Sequence, residues 1–307
     1  MPLWINEKST DHVSGSLAEF FQIFPVLKIS ASYLTSQKPN EFGPKDLLYI
    51  GQREYGGTCP DDDVIKIIGS EGATTCHIGI LRHTGSGAVC MLHFDGYSMN
   101  QGVESMVQLI LELSQHKLEG RLEFHVVGGF MDDNHISEKI SMALFRHLSQ
   151  CKEDIYLVTA CIGDVNTTYK NGVPFPVIYG VAVDVQTGAI YNASFPDHGP
   201  DEPLRSTRVF SGNSDNYSVY NYSKGLLEIG PFAYSQLPDL DALLMMPDSF
   251  YRQHLSTSPA QEPNGFEVSV RAALQQMKQH PDPMRTVFPN GKSRCYKKQP
   301  DGLWARI

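Results

Sequence analysis

The chain has 307 residues, of which 41% are hydrophobic and 19% charged, and its formal net charge is -9. That length and composition suit one large globular domain or two small ones, with enough core to need no metal or disulfide staple. The acidic balance argues against a nucleic-acid binder or an anionic-membrane binder, both of which need a basic footprint.

No run approaches the ~18 consecutive apolar residues of a membrane span. The apolar Phe20–Ile29 segment is short and is broken by Pro25 and Lys28. The start of the chain carries Glu7, Lys8, Asp11 and Glu19, unlike a secretory signal, so a cytosolic or nuclear location is expected. Pro2 is small enough to permit removal of Met1, and whether that terminus reaches a site is left open. Cys59, Cys76, Cys90, Cys151, Cys161 and Cys295 form no C-x-x-C pair and are expected to be free thiols.

In chain order, β-branched and aromatic runs predict strands at Leu47–Ile50, Val64–Ile68, His77–Leu81 and Ala88–Phe94. Val103, Met106, Val107 and Ile110 follow the i, i+3, i+4, i+7 rule and predict a helix over Val103–Leu113. A strand at Leu122–Val127 follows, then a helix over Glu138–Leu148 with Ser137 as N-cap, then a strand at Ile155–Cys161. Asn166–Pro174 reads as a loop. Val177–Val185 and Ala189–Phe195 are joined by a Gln186-Thr187-Gly188 turn, and Asp197–Arg205 reads as a second loop. Val219–Tyr222 and Leu226–Ile229 flank the turn Ser223-Lys224-Gly225. Leu255–Gly265 separates a C-terminal helical tail, about 255–307, whose helix is Phe266–Lys278. The fold class expected is α+β, a β-sandwich of mixed and antiparallel sheets flanked by helices.

The segment richest in chemistry is Gly69–Gly96. Cys76 follows the compact run Gly72-Ala73-Thr74-Thr75, where backbone N–H groups can approach a ligand and hold an oxyanion. A thiol attacks as thiolate and so needs a base. A hairpin turning at Gly85-Ser86-Gly87 brings residue 76 opposite the mid-nineties and so brings His93 beside Cys76. His77 then points to the other face. Ser70, six residues before Cys76, is a candidate to orient His93 as the third member of a triad. The same residue types have bland readings too: a buried inert thiol, a satisfied histidine, a turn serine. A metal cluster of Cys76, His77, His83, Cys90 and His93 lacks zinc spacing and splits between two faces.

The stretch ATTCHIGILRHTGSGAVCMLHFDG resembles the active-site region of the protein N-terminal asparagine amidohydrolase family. So do Leu47–Glu54, Gly120–Asp133, Phe175–Arg205, Leu255–Pro263 and Tyr296–Trp304, in consistent order over nearly the whole chain, with divergent segments at Thr10–Gln37 and Ser211–Ser223. The resemblance implies a single domain over 1–307. It implies deamidation of an N-terminal Asn to Asp through a thioester on Cys76, with His93 as acid and base, Ser70 orienting it, and no cofactor. It also implies a place in the N-degron pathway of arginylation and ubiquitin-dependent degradation. The Ser70, Cys76, His93 spacing and Gly128-Gly129 are also similar to the chemoreceptor glutamine deamidase and cytotoxic necrotizing factor fold. The partner expected is a protein or peptide with a free N-terminal Asn, met by a monomer, with no nucleic acid and no membrane involved. Reading a free α-ammonium calls for a carboxylate, and Asp95 is the first candidate, then Asp132, Asp133 and Glu71, with Thr75 assisting at the oxyanion. Deamidation of internal Gln and non-catalytic binding of N-termini are the rival readings.

Overall fold

The apolar runs pair into two sheets that share a core. The computed structural model describes residues 3–10, 13, 15–115, 119–212, 214–235 and 237–307. The Met1-Pro2 terminus lies outside them. The larger sheet has eight strands. Their spatial order is Tyr217–Ser218, Glu54–Thr58, Val89–Phe94, His77–His83, Leu122–Gly128, Ile155–Cys161, Leu3–Ile5, Lys8–Thr10. The His77–His83 strand is antiparallel to both its neighbours, whereas Leu122–Gly128 runs parallel to Ile155–Cys161. Parallel neighbours need a crossover, and the Ile136–Ser149 helix supplies it. The second sheet runs Asn40–Glu41, Ile190–Ser194, Val181–Asp184, Ile67–Ser70, Leu47–Tyr49.

Strand alternation sorts side chains between two cores. Ile78, Ile80, Val89 and Met91 face the second sheet and pack with Leu48, Ile68, Val181 and Val183. Leu81, Cys90, Leu92 and Phe94 face the other way, against Phe20 and Phe21, Val103 and Ile110, Leu144 and Leu148. The layering is therefore helices, mixed sheet, second sheet. Among the described residues no helix is long and apolar enough to cross a membrane.

The amphipathic helices extend the expected ones to Met99–Leu113, Ile136–Ser149 and Phe266–Gln279. Ser137 is not the N-cap. It lies in the first turn, where its Oγ accepts from Phe130 N, and the Asp132 carboxylate caps the helix by accepting from Ile136 N and Ser137 N. Asn166–Pro174, read as a loop, carries most of a hairpin of Thr167–Lys170 and Val173–Pro176. The Val177–Val185 strand contracts to Val181–Asp184, and Val64–Ile68 moves to Ile67–Ser70. The tail is helical only in part: Arg294–Lys298 and Trp304–Arg306 are strands in a four-stranded sheet with Leu226–Ile229 and Tyr220–Asn221. Val270, Leu274 and Met277 join the same core as Ile78.

Asp197–Arg205, also read as a loop, runs into a helix at Glu202–Phe210, and Arg205 explains why. Its guanidinium is buried against Glu54, donating from Nε at 3.0 Å and from Nη2 at 2.5 Å, and it also reaches the carbonyls of Tyr49 and His198. Burial works against the ionised Glu54 carboxyl, but Arg205 beside it holds it below the usual carboxylate range. Breaking a buried pair leaves an uncompensated charge, so Arg205→Met is expected to cost about 3–5 kcal/mol. Urea unfolding reads this loss, and the double substitution with Glu54→Leu should recover much of it. A single-variant cost below about 1 kcal/mol would show that the pair is not held dry.

Candidate functional site

The hairpin between the two central strands sets the site. His77 pairs with Phe94 and Ile78 with His93, so Cys76, one residue before its strand, sits diagonally from His93 on the same face. That face is the one turned to the second sheet, where the half-buried Cys76 packs against the core cluster that holds Ile78 and Met91. Ser70 ends the second-sheet strand Ile67–Ser70 and is fully buried. Its Oγ lies 2.9 Å from His93 Nδ1. The imidazole is thus held between the sheets. Its Nε2 is buried and has no hydrogen-bond partner among the described residues. The backbone of His93 is fixed too, because Arg53 N donates to its carbonyl at 3.1 Å.

Gly128 and Gly129 let the Cys76 loop approach the end of the Leu122–Gly128 strand. Both have positive φ, and a Cβ on Gly128 would lie 2.5 Å from the Cys76 carbonyl oxygen. Gly129 N donates to that oxygen at 2.8 Å. Ala73 N, one step into the approach, donates to Tyr179 O.

Desolvation by burial decides the protonation of both partners. It pushes the Cys76 thiol above its usual value, aided by the negative charges of Asp95 and Glu262 and opposed by Arg53. It lowers His93 to about 4, against the pull of Asp95 and Glu54. At neutral pH the resting pair is therefore a neutral thiol beside a neutral imidazole.

The remaining candidates divide. His77 points to the helical layer and meets Ser141 Oγ at 2.7 Å. His83 meets Ser86, and Cys90 lies in the helical core. Among the described residues no three His, Cys, Asp or Glu side chains converge as a metal site. Asp95 lies beside the pair, but one carboxylate oxygen takes both Arg53 Nε, at 2.6 Å, and Gln52 Nε2, at 2.8 Å. Asp132 is spent on its helix N-terminus and Asp133 is exposed. Glu71 meets His198 at 2.6 Å and accepts from Phe195 N. Thr75 Oγ1 lies 2.7 Å from Thr257 Oγ1, which ties the run before Cys76 to the segment after the Asp248–Leu255 helix. That segment also brings in Glu262, which the sequence reading did not single out. The stretch Leu255–Pro263 that carried part of the family resemblance contains both Thr257 and Glu262, and was the signal for them.

A thiol on the same face as an imidazole that a hydroxyl holds between two sheets supplies the parts of a hydrolase that attacks a carbonyl. The sequence model of the protein N-terminal asparagine amidohydrolase family matches residues 37–306, beginning where the divergent Thr10–Gln37 segment ends. The protein N-terminal asparagine amidohydrolases of Sus scrofa and Homo sapiens are 41% and 40% identical to this chain, covering 100% of it and 98% of each relative. The Arabidopsis thaliana protein of that name is 26% identical, over 88% of this chain and 84% of its own length. The chain belongs to the protein N-terminal asparagine amidohydrolase family, and is thereby a hydrolase acting on a linear amide.

Proposed function

We propose that the protein deamidates the side chain of an N-terminal Asn, giving Asp and ammonia, with Cys76 as nucleophile. The observation that carries this reading is the His93 imidazole, gripped at Nδ1 by Ser70 and unpartnered at its buried Nε2, on the face it shares with Cys76. With Nδ1 donating to Ser70 Oγ, Nε2 is the basic nitrogen. It takes the thiol proton as sulfur bonds to the amide carbon, and backbone N–H groups at Thr75 and Cys76 hold the oxyanion. The proton passes to the leaving nitrogen, the C–N bond breaks, and ammonia departs from a thioester. Water then gives its proton to His93 and attacks the thioester. The proton returns to sulfur, and the acid is released. The neutral resting pair supports general-base attack over a standing thiolate.

The helix, sheet, sheet layering and the Ser70, Cys76, His93 spacing support kinship with the chemoreceptor glutamine deamidase fold. The printed names of the relatives support the substrate. Turning a terminal Asn into Asp suits a step that feeds arginylation and ubiquitin-dependent degradation.

The test is mass spectrometry of an Asn-starting peptide and its N-acetylated twin. The free peptide should gain about one dalton and the acetylated one should not change. Equal conversion of both would replace terminal deamidation with the internal reading. No conversion of either would favour a binding module.

A further inference from the structure

An enzyme that acts only on chain termini must read the α-ammonium, and in Asn that nitrogen is only three bonds from the amide carbon. The acid that reads it must stand within one small residue's reach of the attacking sulfur. Asp95, Asp132 and Glu71 are already engaged by cations or by backbone N–H groups.

Glu262 is placed differently. It lies in the segment between the Asp248–Leu255 and Phe266–Gln279 helices, and the segment is built to hold it. Ser256 Oγ donates to its Oε1 at 2.5 Å, and Ser258 N donates to Ser256 Oγ at 2.9 Å. Gln261 Nε2 anchors the turn to Pro174 O at 2.7 Å, and Thr257 meets Thr75, the neighbour of Cys76. Arg252, whose charge acts on Glu262, turns its Nε to Glu267 at 2.5 Å and gives its other donors to the carbonyls of Pro259, Glu262 and Pro263. Among the described ion pairs of this segment, Arg252 has Glu267 as its partner, not Glu262. The Glu262 charge acts on the Cys76 thiol and on Tyr179, whose carbonyl holds Ala73 N in the loop before Cys76. Burial pushes the Glu262 carboxyl upward against the Ser256 hydrogen bond and the charge of Arg252, a state an incoming ammonium would relieve.

Resting on the N-terminal reading above, we propose that Glu262 accepts the substrate's α-ammonium and, with Cys76, measures the distance from terminus to amide. The ruler has two fixed ends, the carboxylate and the sulfur. A terminal Gln anchored at the same carboxylate places its amide carbon one methylene past the thiol.

The experiment compares wild type, E262Q and E262D on three peptides that differ only in starting with Asn, acetyl-Asn or Gln. E262Q keeps the shape and a Ser256 partner, so its efficiency on the free Asn peptide should fall on the order of 100-fold, mainly through KM. Its preference for free over acetylated peptide should collapse. E262D keeps the charge and should retain that preference. Alkylation of Cys76 by iodoacetamide is a second readout, since it needs no substrate. Removing a nearby negative charge favours the thiolate, so E262Q should react faster than wild type at pH 8. A folded E262Q with the wild-type preference for free termini overturns the proposal, as does unchanged alkylation at Cys76. If E262Q does not fold, a loss of that preference in E262D overturns it. Failure of wild type to deamidate Asn peptides would instead sink the reading of the activity, so the two failures are distinct.

Discussion

Cys76→Ala is expected to reduce ammonia release from an Asn-starting peptide to the uncatalysed background, because Cys76 is the thiol beside the His93 imidazole while Cys161, in the same core cluster, is fully buried. Cys90 and Cys161 are buried, and Cys90 lies in the helical core. His93→Ala should lose about 10²–10⁴-fold in kcat, the usual worth of a positioned acid–base group. Ser70→Ala should lose less, about 10- to 100-fold, since it removes a buried hydrogen bond of about 1–3 kcal/mol. Among the described residues the Ser70 hydroxyl meets His93 Nδ1, so it is a positioning residue. If it acts through the imidazole, Ser70→Ala should cost almost nothing further in a His93→Ala background. An equal loss in both backgrounds would mean that the hydroxyl serves packing alone. The measurement is single-turnover ammonia release for the four combinations, with thermal unfolding alongside to exclude misfolding.

That network was half visible in the sequence. The Gly85-Ser86-Gly87 turn and the alternating strands around it fixed the register, because a one-residue slip would move Ile78, Ile80, Val89 and Met91 out of the core. The Ile155–Cys161 strand was legible to the residue, being an apolar run broken only by Thr159 that lies between two parallel neighbours. Other elements were hidden for physical reasons. Leu17–Ile23 and Val26–Thr35 looked like one broken apolar segment, but Pro25 follows the end of the first helix and sits at the N-cap of the second. Glu202–Phe210 buries Arg205 and Arg208 beside Leu204 and Thr207, so its buried face does not read as an apolar stripe. Partners far apart in sequence gave no local signal. Ser70 meets His93 across two sheets, and Glu262 nears Cys76 only because the segment after Leu255 folds back on Thr75. The acids nearest in sequence were natural candidates for an ammonium, yet Asp132 was needed at a helix terminus and Asp95 beside Arg53.

Acid should destabilise this protein already between pH 7 and 5. Burial lowers His77 to about 3 and His93 to about 4, and both stay neutral in the fold. In the unfolded chain they protonate near the ordinary histidine value of about 6.5. Between pH 6.5 and 4 the unfolded state therefore binds more protons, and stability falls as pH falls. Each of these histidines is expected to cost about 2 kcal/mol between pH 7 and 5, so the pair costs about 4 kcal/mol, a large part of a typical domain's 5–15 kcal/mol. His125, also lowered to about 4, is partly open to solvent and adds less. Glu262, raised by burial, offsets some of the loss by taking a proton in the fold. At the alkaline end His198, raised to about 9 by its bonds to Glu202 and Glu71 in spite of burial, stabilises the fold below pH 6.5 and loses that effect as pH rises through 9. Urea midpoints from pH 5 to 9 test both limbs. His77→Gln should shrink the pH 7 to 5 difference by about 2 kcal/mol, and a midpoint that does not move between those pH values would mean that these rings are not held dry. Because His93 remains a base down to about pH 4, activity per folded molecule should outlast stability on the acid side. The acid limb of the reaction is then set by the fold around His77 and His93 rather than by titration of the base itself.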